Sequence, residues 1–245
     1  MPRAPAIVRP RHGLARVLSK LGICSRTQAA DAIRAGRVAL NGRTVRDPEH
    51  PTDSVRDRIV LDGRDVRASE RIYLMLNKPR GYVTTASDER GRETVYDLIA
   101  DANLPWIAPV GRLDKASEGL LLLTNDSEWA ARITSPATKV DKIYHVHIDK
   151  TPNSALMDAL VRGIEDGDAI LSAKSARELR RGEKNAWLEI VLDEGRNRQI
   201  RRLLEAHGIG VLRLVRIAIG PVALGALEKG RYRPLDALEV AAFAR

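Results

Sequence analysis

Two polar clusters in this chain serve no obvious packing purpose. Gly111-Arg112-Leu113-Asp114 follows the apolar stretch 107–110 and closely precedes the run Leu120-Leu121-Leu122-Leu123. An acid on a short loop between two buried strands is well placed to project into a cleft. There a carboxylate can act as nucleophile, general base or partner to a cation. The second cluster, Glu194-Gly195-Arg196-Asn197-Arg198-Gln199-Ile200-Arg201-Arg202, puts four arginines at the start of a predicted helix. Ile200, Leu203, Leu204 and His207 mark the inner face of that helix, so Arg201 lies beside the buried stripe. A guanidinium turned inward needs an anion, because an unpaired buried charge is costly. On composition alone, a plain Asp–Arg ion pair or a phosphate-binding surface without chemistry explains both clusters more simply.

Other routes to chemistry close quickly. The chain has no Gly-x-x-x-x-Gly-Lys-Ser/Thr loop, no Gly-x-Gly-x-x-Gly, no His-Glu-x-x-His and no Gly-x-Ser-x-Gly. Its one cysteine, Cys24, excludes an internal disulfide and a cysteine-based zinc cluster. His145 and His147 share one face of a strand but have no third ligand nearby, so no metal site is predicted.

The elements that must position these clusters read as α+β. Strand patterns fall at 72–76, 107–110, 120–124, 143–148, 187–192 and 211–219, and helical patterns at 94–99, 127–133, 155–161 and 198–207. Strands outnumber helices and do not alternate regularly with them, which disfavours a doubly wound sheet. Ahead of these elements, Leu14, Val17, Leu18 and Leu21 form one apolar stripe of a helix that Gly22 ends. Ser25 and Gln28 have the spacing of a capping box, and Ala29, Ala32 and Ile33 give the second helix a narrow inner face that Gly36 closes. Val38-Ala39-Leu40, the turn Asn41-Gly42 and Thr44-Val45 read as a hairpin. A polar stretch over 47–58 reads as a loop, 59–61 as a strand turned by Asp62-Gly63, and 67–71 as a linker.

Charge divides the 245 residues the same way. Residues 1–46 hold ten Arg or Lys and one acid, Asp31, whereas 47–245 hold 31 bases and 31 acids. A basic block joined to a neutral body suggests a module that meets a polyanion, with nucleic acid preferred to a membrane surface because few large apolar side chains accompany the charge. Arg16, Lys20, Arg26, Arg34, Arg37 and Arg43 lie off the apolar positions and are expected to gather on its exposed surface. No apolar run approaches the ~20 residues of a membrane-spanning helix, and 1–11 has no signal-peptide apolar core. A soluble cytoplasmic protein is expected.

Five motifs in order then carry a resemblance: Asn77-Lys78-Pro79-Arg80-Gly81, Gly111-Arg112-Leu113-Asp114, Ser117-Glu118-Gly119-Leu120-Leu121-Leu122-Leu123-Thr124-Asn125-Asp126, Lys142-Ile143-Tyr144, and the segment from Glu194 to Arg202. They resemble the RNA pseudouridine synthases of the ribosomal small-subunit synthase A and large-subunit synthase B, E and F type. The basic block resembles the RNA-binding module named after small-subunit ribosomal protein S-four. Two domains are thus expected: a small α/β RNA-binding module over 12–70, then a mainly antiparallel-sheet catalytic domain over 71–245. Ala116-Ser117 departs from the acidic residue and Thr usual there, and Ser135-Pro136 lacks the His often found before that Pro.

The resemblance implies that Asp114 is the aspartate required to break the uridine N1–C1′ bond and rejoin C1′ to C5. It implies that Arg201 pairs with Asp114, and that Tyr144 stacks on the target base and is associated with loss of the C5 proton. Arg112 is expected to fill the space of the flipped nucleotide or hold a phosphate. Lys78, Arg80 and Lys142 are expected phosphate contacts, with Arg196 and Arg198 binding the RNA backbone or shaping the helix entrance. No metal or organic cofactor is implied, and the expected partner of a monomeric protein is ribosomal RNA, large-subunit before small, or an assembling ribosomal particle. A non-catalytic RNA-binding assembly factor and a glycosidase-like hydrolase with paired carboxylates are the rival readings.

Overall fold

A computed structural model describes residues 11–85, 91–167 and 169–243; the Arg- and Pro-rich segment 1–10, part of the basic block, lies outside the described residues. Contacts between Cα atoms divide the chain into two compact units. The first runs to Ile72 and also takes in Leu104–Ala108 and Asn125–Glu128; the second comprises Tyr73–Asn103, Pro109–Thr124 and the chain from Trp129 onward.

In the first unit, α1 (Leu14–Lys20) buries Leu14, Val17 and Leu18. The Ser25 hydroxyl accepts from the Gln28 amide at 3.1 Å while the Gln28 side chain accepts from the Ser25 amide at 3.0 Å, which starts α2 (Arg26–Arg34). Its Ala29, Ala32 and Ile33 pack on α1 and on β1 (Val38–Leu40) in one core. Asn41 and Gly42, at φ 52° and 83°, make the tight turn into β2 (Arg43–Thr44), and Asp62 and Gly63 do the same between β3 (Ile59–Leu61) and β4 (Arg64–Asp65). The strands run in the order β2-β1-β3-β4. The expected loop over 47–58 contains a strand pair, Pro51–Thr52 against His12–Gly13. Two residues are too few for alternation to show in a sequence.

The second unit is built on a large sheet. Its main path is β8 (Ser175–Arg181), β9 (Ala186–Leu192), β7 (Lys142–Ile148), β10 (Val211–Ile219), β6 (Glu118–Thr124), β5 (Tyr73–Lys78) and β11 (Tyr232–Pro234). Every pairing on this path is antiparallel except β6 with β10. All of β6 is buried, which explains four leucines in a row without alternation. β7 and β9 alternate buried and half-buried positions, so only one face of each is packed. The helices are α3 (Ser127–Thr134), α4 (Ser154–Arg162), α5 (Gln199–Ala206) and α6 (Ala237–Ala241). The helical pattern at 94–99 is a 3-10 helix over Asp97–Ala102. β8, β11 and the hairpin of Ile164–Asp166 with Ala169–Leu171 carry too little apolar alternation to be read from sequence, β8 and β11 because they lie at the ends of the sheet path. No helix among the described residues is long and apolar enough to cross a membrane.

The parallel pairing on this path depends on one glycine. Val215 pairs with Glu118 and Arg216 with Gly119, which sits at φ +100°. A Cβ there would be driven into the Arg216 carbonyl oxygen and lie 2.8 Å from its amide nitrogen, both rigid backbone. Gly119→Ala is therefore expected to cost about 3 kcal/mol or more from combined backbone strain and overpacking, as a lowered urea midpoint will show.

Candidate active site

Asp114 lies on the turn that enters β6, and its neighbours act mainly on the backbone of that turn. Lys78, at the end of β5, is wholly buried, and its ammonium donates to the carbonyls of Asp114 (3.1 Å), Ser117 (2.9 Å) and Pro79 (3.1 Å). The Thr84 hydroxyl donates to the Leu113 carbonyl at 2.8 Å, and the Gly81 amide to Lys115 O at 2.8 Å. Arg201 Nη2 donates to Ala116 O at 3.2 Å. Each carbonyl from Leu113 to Ser117 thus has a donor, and the loop is fixed without using its one carboxylate. Burial pushes the Lys78 ammonium down to about 8; Arg216 adds to this effect, while Asp114 and Glu118 oppose it. Glu118 itself is occupied by Arg213 (2.9 Å) and Lys229 (2.6 Å).

Three expected roles change. Lys78 is not a phosphate contact, since it has no solvent exposure and holds three carbonyls. Arg201 does not form the expected ion pair with Asp114; it binds Ala116 O and, through Nη1, Val211 O at 3.3 Å, leaving Nε buried without a partner among the described residues. Burial lowers its pKa, as do nearby Arg198 and Arg80, while Asp114 acts in the opposite sense. Among the described residues, the cation nearest the carboxylate is Arg198, at 4.0 Å from Asp114 Oδ2. Arg198 precedes α5 in the left-handed conformation (φ 50°, ψ 30°), which swings its side chain out of the helical run. The third change concerns His207, which was expected on the inner face of α5 but caps its end and is exposed; Ile200, Leu203 and Leu204 supply that face.

A cleft of about 490 Å³ opens at this loop, lined among others by Arg112, Asp114, Lys142, Tyr144, Arg198 and Arg216. Tyr144 is 9% exposed and shares the packed face of β7 with Val146 and Ile148. Lys142 is half-buried, and burial lowers its pKa; the Arg216 charge acts in the same direction, against Asp193 and Asp141. Arg112 and Arg80 are exposed. Arg196 pairs with Glu194 at 3.0 Å, and Glu194 also accepts from buried Gln199 at 2.7 Å, so these three shape the entrance to α5. His145 pairs with Glu189, and His147 stacks on Trp187.

In the first unit the expected RNA-facing cations are mostly paired. Arg26 meets Glu49, Arg34 meets Asp31, Arg37 makes a two-pronged contact with Asp62, and Lys20 reaches Glu128. Arg16 and Arg43 are exposed and make no ion pair among the described residues.

Residues 72–206 match the RNA pseudouridylate synthase family, and residues 13–59 match the S4 domain. An uncharacterised RNA pseudouridine synthase of Aquifex aeolicus is 39% identical over 92% of this chain and 91% of its own length. The ribosomal large subunit pseudouridine synthase B of Bacillus subtilis is 35% identical over 93% of each chain; its Pseudomonas aeruginosa counterpart is 38% identical over 93% of this chain and 60% of its own. A crystal structure of a pseudouridylate synthase superposes with a TM-score of 0.65 at 31% identity, covering 95% of this chain and 99% of that one. The fold is that of an RNA pseudouridylate synthase preceded by an S4 domain. The chain belongs to the RNA pseudouridine synthase family and is an isomerase.

Sequence reasoning missed Arg216 and Gln199, and misplaced Lys78. Arg216 could have been found as one of two cations, with Arg213, in the strand pattern of 211–219; the Lys78 clamp joins residues 36 and 39 apart in the chain and leaves no local signal. Lys78→Met strips these carbonyls of their donor, at about 1–3 kcal/mol, and is expected to lower kcat while leaving RNA affinity and its salt dependence unchanged. A phosphate contact would instead flatten the log K against log salt slope by about 0.7–0.9. In the unaltered enzyme, the single-turnover rate is expected to fall as pH rises through about 8, since a neutral amine has two N–H groups for three carbonyls.

Proposed function

We propose that the chain converts a uridine of ribosomal RNA, large-subunit before small, to pseudouridine, with Asp114 acting on the nucleoside. One observation carries the reading: the Asp114 carboxylate, 39% exposed at its side chain, lines an open cleft together with a buried tyrosine and several cations, and its oxygens are left free by the hydrogen bonds that fix its loop. The large-subunit names borne by the Bacillus and Pseudomonas relatives favour that substrate.

The reactive atoms are out of reach while the base is stacked, so the nucleotide must be flipped into the cleft. Arg112 then fills the vacated stack or holds a phosphate, while Arg80, Lys142, Arg196 and Arg198 draw the backbone to the cleft rim. Tyr144 offers its ring to the base. Asp114 acts on the nucleoside as C1′–N1 breaks; the base turns, C1′–C5 forms, the C5 proton leaves and N1 takes one up. Atoms and electrons balance, so the reaction calls for no oxidant or reductant. Arg201 serves as a positioning residue through the Ala116 carbonyl.

The module over 12–70 captures ribosomal RNA or an assembling ribosomal particle, with Arg16 and Arg43 available at once and Lys20, Arg26, Arg34 and Arg37 on exchange of their acid partners. The catalytic domain over 71–245 selects the uridine. The protein works as a monomer in the cytoplasm and away from membranes.

Asp114→Asn is expected to slow pseudouridine formation by about a thousandfold or more with RNA binding retained, measured by mass-neutral modification assay. Full turnover in that variant would overturn the assignment, and release of free uracil would favour a hydrolase. Mapping pseudouridines in cells with and without the gene is expected to show loss in large-subunit RNA.

A further inference from the structure

Arg216 has no part in the expectations above, yet it is the most confined cation of the cleft. It lies on β10 directly opposite Tyr144 of β7, so the two side chains stand side by side on the same face of the sheet. It lines the cleft, is 5% exposed, and donates from Nε to Leu120 O at 2.8 Å. Nη2 is buried with no hydrogen-bond partner, and the side chain makes no ion pair among the described residues. Its charge reaches Lys78 and Lys142, lowering the pKa of each, so it sits among the cations of the site. A buried guanidinium with a vacant donor and no acid is costly unless something in the working complex accepts from it. The backbone that carries it is held by the close approach of Gly119, which keeps the donor from drifting.

The chemistry supplies an acceptor. When C1′–N1 breaks, the bonding pair stays on the pyrimidine, and the negative charge spreads over N1, C5 and the two carbonyl oxygens. Turning the base about the axis through N3 and C6 exchanges N1 with C5 and O2 with O4. A single fixed donor therefore meets a carbonyl oxygen both before and after the turn. We propose that Arg216 is a catalytic residue that donates from its free guanidinium edge to a carbonyl oxygen of the flipped uracil and stabilises the anion released from C1′. Donors fixed in advance where charge develops act most strongly in a water-poor site. The anion's π pair at C5 then forms the C1′–C5 bond, the C5–H pair restores the ring double bond as the proton departs, N1 takes up a proton, and no oxidant or reductant is needed. This inference rests on the uridine-isomerase reading of Asp114.

The test is single-turnover C1′–N1 cleavage on RNA carrying uridine or 5-fluorouridine at the target, with the unaltered enzyme, Arg216→Gln and Arg216→Lys. Fluorine withdraws electrons and makes the base a better leaving group, so its departure depends less on an external donor. Arg216→Gln is expected to slow uridine turnover about 100-fold with RNA affinity nearly unchanged, and to lose about tenfold of that defect on fluorouridine. Arg216→Lys should show the same pattern at smaller amplitude, and it decides the matter if the Gln variant does not fold. An equal penalty on both substrates, or a loss confined to RNA affinity, overturns the proposal. Absence of pseudouridine from the unaltered enzyme on ribosomal RNA would instead overturn the functional reading beneath it.

Discussion

The buried ammonium of Lys78 is the constraint on which the rest of the site depends. Burying a cation is unfavourable unless each donor is used, and here three carbonyls use it. Two of them belong to the turn that carries Asp114, so the strand ending at Lys78 and the strand beginning at Glu118 are tied at the point where the carboxylate emerges. Arg201, Thr84 and the Gly81 amide complete the hold on that backbone. The result is a charged group whose position is set through its main chain while its oxygens stay available. A carboxylate locked by its side chain would have to break a bond before it could react; in the proposed role Asp114 would not.

Around that carboxylate, positive charge is graded by burial. Arg112, Arg80 and Arg198 are exposed and can follow a phosphate backbone with little loss, whereas Lys142 is half-buried and Arg216 is nearly sealed. Arg198 approaches Asp114 from the left-handed turn before α5, and Arg201, a turn further on, reaches the loop backbone. One short helix therefore delivers two cations to one loop with different tasks. The rim is suited to recognising a polyanion, and the floor to meeting charge that develops during bond cleavage.

The N-terminal unit shows why a charge count is not a binding surface. Its ten bases against one acid in residues 1–46 imply an open field of positive charge. Folding brings Glu49, Asp62 and Glu128, all from beyond that block, onto Arg26, Arg37 and Lys20. Such exposed pairs contribute little stability, so a phosphate can displace the acid at small cost. Arg16 and Arg43 are exposed and make no ion pair among the described residues.

Local patterns were legible wherever the determinant lay within a few residues. The capping box of Ser25 and Gln28, the Asn41-Gly42 and Asp62-Gly63 turns and the nine-residue strand 211–219 are all encoded by neighbours in the chain, as is the uninterrupted leucine run that marks a strand buried on both faces. The charged strand Ser175–Arg181 was not legible, because an edge position relaxes the demand for alternation. By itself the sequence determined the family, the order of its motifs, the α+β class and the candidacy of Asp114 and Tyr144. Only the tertiary structure decided which cation does what: that Lys78 is a clamp, that Arg198 and not Arg201 stands nearest the carboxylate, and that Arg216 has a donor to spare. Those roles depend on distances between residues tens of positions apart, and residue type is blind to whether a positive group ends beside a carbonyl, a carboxylate or an empty cleft.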